Sequence, residues 1–232
     1  EYGQMSQIKL INHPDYIVLL APQTCHVLSS AVLNGGMSQT RSLLNLRVDK
    51  HQPPPWPEPA DTLQAMAMEL ELAMPVTGMM TAASMKSLSY RREGDDTLWV
   101  ECWVTCGLSN LLRCGDPTML SPEEKPRAGT INIFLFVSQP LSPQAMTEAL
   151  ILLTESKVTA VRDAGLISPL SGLPASGTGT DSHAVFCPDT DSESLQYCGK
   201  HTLAGELIGR AVTAACADSI SLCQQAAASG DS

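Results

Sequence analysis

Gly129-Thr130-Ile131-Asn132-Ile133-Phe134-Leu135-Phe136-Val137 is followed, four residues later, by Ser142-Pro143-Gln144-Ala145-Met146-Thr147-Glu148-Ala149-Leu150-Ile151-Leu152-Leu153-Thr154-Glu155-Ser156-Lys157, and this second run continues to Gly165. Thr130 to Val137 is a continuous apolar run of strand length. An alternating pattern would mark a strand with one wet face, whereas this one predicts a strand buried on both faces, at the centre of a sheet. In the second run Ser142 suits an N-cap and Pro143 the first helical position. Met146, Ala149, Leu150 and Leu153 define an inward face, and Gly165 suits the C-cap. A buried strand with a covering helix is thus the nucleus of the expected fold.

Towards the N-terminus, Gln7 to Ile11 and Tyr16 to Leu20 flank Asn12-His13-Pro14-Asp15 and read as a hairpin. Cys25 to Ser29 and Ser42 to Val48 read as strands on either side of Asn34-Gly35-Gly36. Leu63, Met66, Ala67 and Leu70 recur at helical spacing within Asp61 to Leu72. Leu88 to Arg92 and Leu98 to Cys106 form a second hairpin around Glu93-Gly94-Asp95-Asp96, and Pro53-Pro54-Pro55-Trp56-Pro57 is a short stiff connection. Towards the C-terminus, His183 to Cys187 is a short strand. A last helix runs from Thr202 to Gln224, where Gly205 and Gly209, one turn apart, let another element approach closely. The order is neither a clean βαβ alternation nor a repeat. It predicts one α+β domain, residues 1–225, with a mixed sheet covered by helices and a frayed tail over 226–232.

With 24 acidic against 14 basic residues in 232, the net charge is −10 and no basic footprint exists for nucleic acid or an anionic membrane surface. A neutral or cationic small molecule is compatible with that charge. The chain shows no signal-like apolar segment and no spanning run of roughly 20 apolar residues, so its eight cysteines are expected as free thiols in a cytoplasmic protein. Cys102 and Cys106 share a strand face with Val104, as buried thiols do, and with Cys114 they make no paired C-x2-C metal knuckle.

Reactive groups concentrate between Gly177 and Ala211. Gly177-Thr178-Gly179-Thr180-Asp181 precedes a strand, and Gly199-Lys200-His201-Thr202 opens the last helix through Gly205-Glu206-Leu207-Ile208-Gly209-Arg210. The first lacks the G-x-x-x-x-G-K-[ST] pattern, so no ATP site is expected.

Blocks in these two stretches and elsewhere make the chain resemble the adenosylcobinamide amidohydrolase family (CbiZ). They are Leu28-Ser29-Ser30-Ala31-Val32-Leu33-Asn34-Gly35-Gly36, Thr77-Gly78-Met79-Met80-Thr81-Ala82-Ala83, Val104-Thr105-Cys106-Gly107-Leu108-Ser109-Asn110, Gly115-Asp116-Pro117, Gly129-Thr130-Ile131-Asn132-Ile133 and Thr154-Glu155-Ser156-Lys157. The resemblance implies hydrolysis of the amide joining aminopropanol to a propionyl side chain of the corrin ring. That reaction releases adenosylcobyric acid and 1-amino-2-propanol, in cobinamide salvage for coenzyme B12. Cobalt enters within the corrinoid substrate, so no protein-bound metal or cofactor is implied; a homo-oligomer is left open. A corrinoid carrier without turnover and an amidohydrolase of another amide are the rival readings. Cys106, Ser176, His183 and Cys198 depart from the family pattern, where a small residue, Thr, an aliphatic residue and Ala are expected.

Amide hydrolysis needs a nucleophile or activated water, oxyanion donors and an acid for the leaving amine. The expected catalytic residues are His201, Asp181 and Glu206. His201 either transfers protons or caps the helix start; Asp181 orients His201, activates water, or only makes an Asx turn; Glu206 is a base or pairs with Arg210 at i,i+4. The expected substrate-binding set is Asn34, Gly35, Gly36, Asn110, Glu155, Thr178, Thr180 and Lys200. Asn34-Gly35-Gly36 also suits an oxyanion hole or a simple turn, Glu155 and Lys157 also suit a solvated helix face, and Ser29, Ser30, Thr178 and Thr180 are candidate hydroxyl nucleophiles.

Overall fold

The computed structural model describes residues 6–49, 53, 55–118 and 129–229. In chain order the elements are β1 (Lys9–His13), β2 (Tyr16–Ser29), β3 (Gly36–Arg47), α1 (Pro59–Glu69), β4 (Val76–Thr81), β5 (Ser89–Gly94), β6 (Trp99–Cys106), β7 (Leu111–Leu112), β8 (Ile131–Val137), α2 (Pro143–Asp163), β9 (Gly177–Thr178), β10 (Ser182–Pro188) and α3 (Leu203–Ala228). The main sheet runs β4-β3-β2-β10-β8-β6-β5, with β1 paired to β2. β8 lies inside it, parallel to β10 and antiparallel to β6.

α2 forms as its sequence requires: Ser142 Oγ accepts from the Ala145 N–H at 3.2 Å, Pro143 follows, and Gly165 takes a φ of +67° just past the end. Ile131, Ile133, Leu135 and Val137 of β8 meet α2 and α3 on one face. Phe134 and Phe136 enter a second cluster with Leu19, Leu43, Trp103 and Phe186 on the other. α1 covers β3 and β4 separately through Leu63 and Ala67 against Leu44, Leu46 and Val76.

The structure corrects the expectation that no repeat is present. β2-β3-α1-β4 and β6-β8-α2-β10 share one topology, an antiparallel pair followed by a helical crossover to a parallel strand. The two units meet at Asn45 of β3 and Asn132 of β8. Asn132 Nδ2 donates to Asn45 Oδ1 at 2.9 Å and to the Met80 carbonyl at 3.0 Å, while Asn45 Nδ2 donates to Thr105 Oγ1 at 2.8 Å. In a flat sheet β3 and β8, three places apart, would be separated by about 14 Å. Their direct hydrogen bond therefore shows that the sheet curls into a half-barrel around the Phe186 cluster.

Boundaries differ in instructive places. β2 is one strand of 14 residues, its register broken between Leu20 and Cys25, where two strands were expected. α3 continues to Ala228, so 226–228 are helical and not tail; residues 230–232 lie outside the described set. At Gly205 an added Cβ would overlap the Gly199 carbonyl, so close approach is real there, whereas Gly209 has no atom within 4 Å of that position. Among the described residues no helix is long and apolar enough to cross a membrane.

Candidate active site

The start of β10 brings Gly177–Asp181 beside the start of β8, and the Asp181 carboxylate is the node of the polar groups there. Oδ1 accepts from the Ile131 N–H at 2.9 Å and from Thr178 Oγ1 at 2.5 Å. Oδ2 accepts from the Thr178 N–H at 3.0 Å and from Lys157 Nζ at 2.7 Å. Both charged side chains are only 8% exposed. Burying such a pair is favourable only when its remaining polar valences are met, and four donors meet those of Asp181. Lys157 reaches it from the buried face of α2, which carries Leu153, Ala160 and Val161. Gly177 leaves the room: a Cβ there would overlap Asp181 Oδ2.

Two loops brace this node. Thr180 Oγ1 lies 2.6 Å from Thr130 Oγ1 and donates to the Gly129 carbonyl at 3.1 Å, and the Gly179 N–H donates to the Asn110 carbonyl at 3.1 Å. β7 pairs with β9, so the 107–118 segment runs along the Gly177 loop. Asp116 Oδ2 holds that segment, accepting from the Arg113 N–H at 2.7 Å and from Ser168 Oγ at 2.5 Å; these bonds keep the Asp116 carboxyl below the usual range. Gly107, Leu108, Ser109 and Gly129 line a cavity of about 730 Å³ together with Ala83, Ser84 and the last turns of α3. This volume falls within the range of small-molecule sites.

Six of the sequence blocks therefore converge on one end of the half-barrel. The sequence model of the family described as adenosylcobinamide amidohydrolase, CbiZ, matches residues 1–228. The chain belongs to the adenosylcobinamide amidohydrolase family. It is 31% identical over 191 residues to an adenosylcobinamide amidohydrolase of Methanosarcina mazei, covering 79% of this chain and 84% of that one. It is 32% identical over 148 residues to an uncharacterized protein of Methanocaldococcus jannaschii, covering 57% of each, so the chain spans little more than half of that relative's length. The crystal structure of a Pyrococcus horikoshii protein superposes with a TM-score of 0.45 at 8% identity, over 90% of this chain and 77% of that one.

Within this CbiZ-family chain the expected site residues divide into three groups. Asp181, Thr178, Thr180 and Asn110 come together at the node. Lys200 and Glu155 pair at 2.5 Å and Glu206 pairs with Arg210 at 2.7 Å, all on exposed surface. His201 is exposed beside Tyr197, with ring centroids 6.3 Å apart. Glu155 and Lys157 are two residues apart on α2, about 200° around the helix. The Gly199–Thr202 turn therefore docks away from the buried Asp181, and the structure does not bring His201 and Asp181 together. Asn34, Gly35 and Gly36 make the third group. Asn34, at a φ of +54°, donates Nδ2 to the Val76 carbonyl at 2.7 Å, and Gly35 packs on the Ala31 carbonyl.

Lys157, for which a solvated helix face was the simpler expectation, turns inward instead; the Thr154-Glu155-Ser156-Lys157 block was its only signal. His183, a departure from the family pattern, is the second residue whose setting the sequence did not show. Its ring points outward from β10 onto α2, where Nδ1 lies 3.4 Å from Thr154 Oγ1. Thr154 donates its own proton to the Leu150 carbonyl at 2.9 Å, so the ring proton belongs on Nδ1, and Nε2 is buried without a partner among the described residues. Burial first, and then the Lys157 charge, push its pKa down to about 4. An unfolded histidine protonates near pH 6.5, so between about 6.5 and 4 the unfolded chain binds the extra proton and stability falls as pH falls, by about 3 kcal/mol at most. Urea unfolding at pH 7 and pH 5 should show this loss in the wild type and a much smaller one in His183→Leu.

Proposed function

We propose that this chain hydrolyses the aminopropanol amide of adenosylcobinamide, giving adenosylcobyric acid and 1-amino-2-propanol, with Thr178 as nucleophile and Asp181 as its base. The observation that carries this reading is the 2.5 Å hydrogen bond from the Thr178 hydroxyl to a carboxylate whose other oxygen is held by a buried ammonium group. The ligand-sized cavity is lined by Ser109 and Gly129, the chain neighbours of Asn110 and Thr130 that brace this loop, and not by Thr178 or Asp181 themselves. A hydroxyl already donating to a positioned carboxylate is the arrangement that nucleophilic catalysis needs. Among the described residues His201 has no comparable partner.

Thr178 Oγ attacks the amide carbonyl and its proton passes to Asp181. As the tetrahedral intermediate collapses, the C–N bond breaks and the departing nitrogen takes up that proton, leaving an ester on Thr178. Water then attacks the ester carbonyl and gives a proton to Asp181; the ester C–O bond breaks, Thr178 Oγ takes that proton back from Asp181, and the carboxylic acid product leaves. The Lys157 ammonium fixes Asp181 and offsets negative charge at the intermediate. Asn110 and Thr180 border the same loop and position the side-chain amide. The corrin macrocycle is bulkier than the cavity, so one edge of it enters. The acidic chain, at −10, is compatible with a cationic corrinoid.

The test is incubation with adenosylcobinamide and mass-spectrometric detection of both products. Thr178→Ala should abolish turnover and Thr178→Ser should keep a measurable part of it. His201→Ala should stay within a few-fold of the wild type. Loss of product in His201→Ala with Thr178→Ala unaffected would move the chemistry to the α3 turn. Tight corrinoid binding without product would make the chain a carrier.

A further inference from the structure

α2 leads to the strand of Thr178 through the loop 166–174, and in a chain of net charge −10 no residue from 164 to 180 carries a charge. The Ser168 N–H donates to the Leu173 carbonyl, the Gly172 N–H to the Ser168 carbonyl and the Ala175 N–H to the Leu166 carbonyl, each at 2.9 Å. Ser168 is fully buried and donates Oγ to Asp116 Oδ2 at 2.5 Å, and Arg113 Nη1 donates to the Pro174 carbonyl at 2.9 Å. These bonds make the loop stiff. Yet Ile167, Leu170 and Leu173 are between 39% and 51% exposed on it. Single apolar residues at a surface need no explanation, but three on one stiff, uncharged loop mark a binding surface.

The strand register places this surface relative to Thr178. Ile167 bridges Pro174 in antiparallel pairing, so their side chains share a face. Ala175 and Gly177 are buried while Pro174, Ser176 and Thr178 are half-buried, the alternation of an extended run in which the last three project from one side. Ile167 and Pro174 therefore lie on the Thr178 side of the strand, about 13 Å along it. In the other direction the turn 179–180 leads through Thr180 to Gly129 and the cavity.

We propose that the loop 166–174 is a corrin-binding shelf: Ile167, Leu170 and Leu173 carry the part of the macrocycle that the cavity does not hold, while a propionyl side chain reaches Thr178.

This shelf rests on the adenosylcobinamide reading above and adds the surface that holds the ring. A macrocycle too bulky for the cavity, with one side chain at Thr178, must lie over the surface next to that residue, and along the strand that surface is this loop. Its methyl-rich rim suits aliphatic side chains. Covering an uncharged loop strips no ion of water, and the bonds to Asp116 and Arg113 order the loop beforehand, so little ordering cost remains on binding.

The experiment measures binding of adenosylcobyric acid, which has the macrocycle but no aminopropanol amide to cleave, by equilibrium dialysis read at its visible absorbance. Ile167→Gln with Leu173→Gln keeps side-chain size and removes apolar contact, and Kd should rise about tenfold. Ile167→Leu with Leu173→Met should bind as the wild type does, and so should Ile151→Gln, which removes an exposed aliphatic residue of α2. Leu170→Gln, at the tip of the loop, repeats the measurement with a single change and should also weaken binding. Wild-type affinity in the glutamine variants would overturn the shelf and leave the substrate reading in place; if the same variants turned a wild-type dimer into a monomer, the face would belong to a second copy of the chain. A wild type that does not bind adenosylcobyric acid would overturn both. Weakened binding in the glutamine variants, beside a wild type that leaves adenosylcobinamide uncleaved, would keep the shelf and sink the hydrolysis.

Discussion

Asp181→Asn is expected to lower turnover on adenosylcobinamide by about 10³-fold, the scale of a lost general base, and to destabilise the fold by about 3–5 kcal/mol. The side chain keeps its size and loses its charge. Lys157, 8% exposed, then has an amide where it had a carboxylate, and the new NH2 group must face one of the donors that Asp181 accepts from: Ile131 N–H, Thr178 N–H, Thr178 Oγ1–H or Lys157 itself. Each choice sets donor against donor in a buried site. A double variant separates chemistry from structure. Asp181→Asn with Lys157→Met removes both charges, so urea unfolding should show much of the lost stability restored, while kcat stays near that of the single variant. Recovery of kcat together with stability would mean that Asp181 only holds the loop.

The parts of the fold that were legible in the sequence are those where local pattern and tertiary environment agree. β8 is apolar throughout because both of its faces are covered, and α2 carries its own cap, first-turn proline and terminal glycine. β4 was not read as a strand, since Pro75 precedes it and Gly78 stands in its middle. Gly78 is there for packing: a Cβ would lie 3.2 Å from Leu33 and Leu63, so the covering helix, not strand propensity, selects it. The repeated β-β-α-β topology left no mark in the sequence because the two units share connectivity without sharing residues.

The candidate site was legible as blocks and illegible as contacts. Gly177–Asp181 stood out by composition, but its partner Lys157 lies 24 positions away on another element, and nothing in a helical block distinguishes a lysine that turns inward from one that turns out. The pairing of His201 with Asp181 rested on both lying in motif-like turns. The helix between those turns is what keeps them apart, and its orientation is a tertiary fact. Cys106 was read correctly as a buried strand thiol.

Gly177→Ala carries the same question to the backbone, without replacing a polar side chain. The added methyl would overlap Asp181 Oδ2 and stand 2.8 Å from Lys157 Nζ. Neither neighbour is the free end of a flexible side chain, since both are fixed by the ion pair and by the N–H groups of Ile131 and Thr178. Relief requires the carboxylate to move, which lengthens its bonds to Thr178 and Lys157 together. We therefore expect turnover to fall by about 10²-fold, consistent with the cost of displacing catalytic groups by about 1 Å, and thermal stability to fall with it. Gly209→Ala is the matched control: it lies inside α3 with no atom within 4 Å of the new carbon, so it should raise stability by up to about 1 kcal/mol through helix propensity and leave turnover unchanged. If Gly177→Ala kept wild-type kcat with only its melting temperature lowered, the Thr178–Asp181–Lys157 geometry would be a structural clamp and the reacting groups would have to be sought elsewhere.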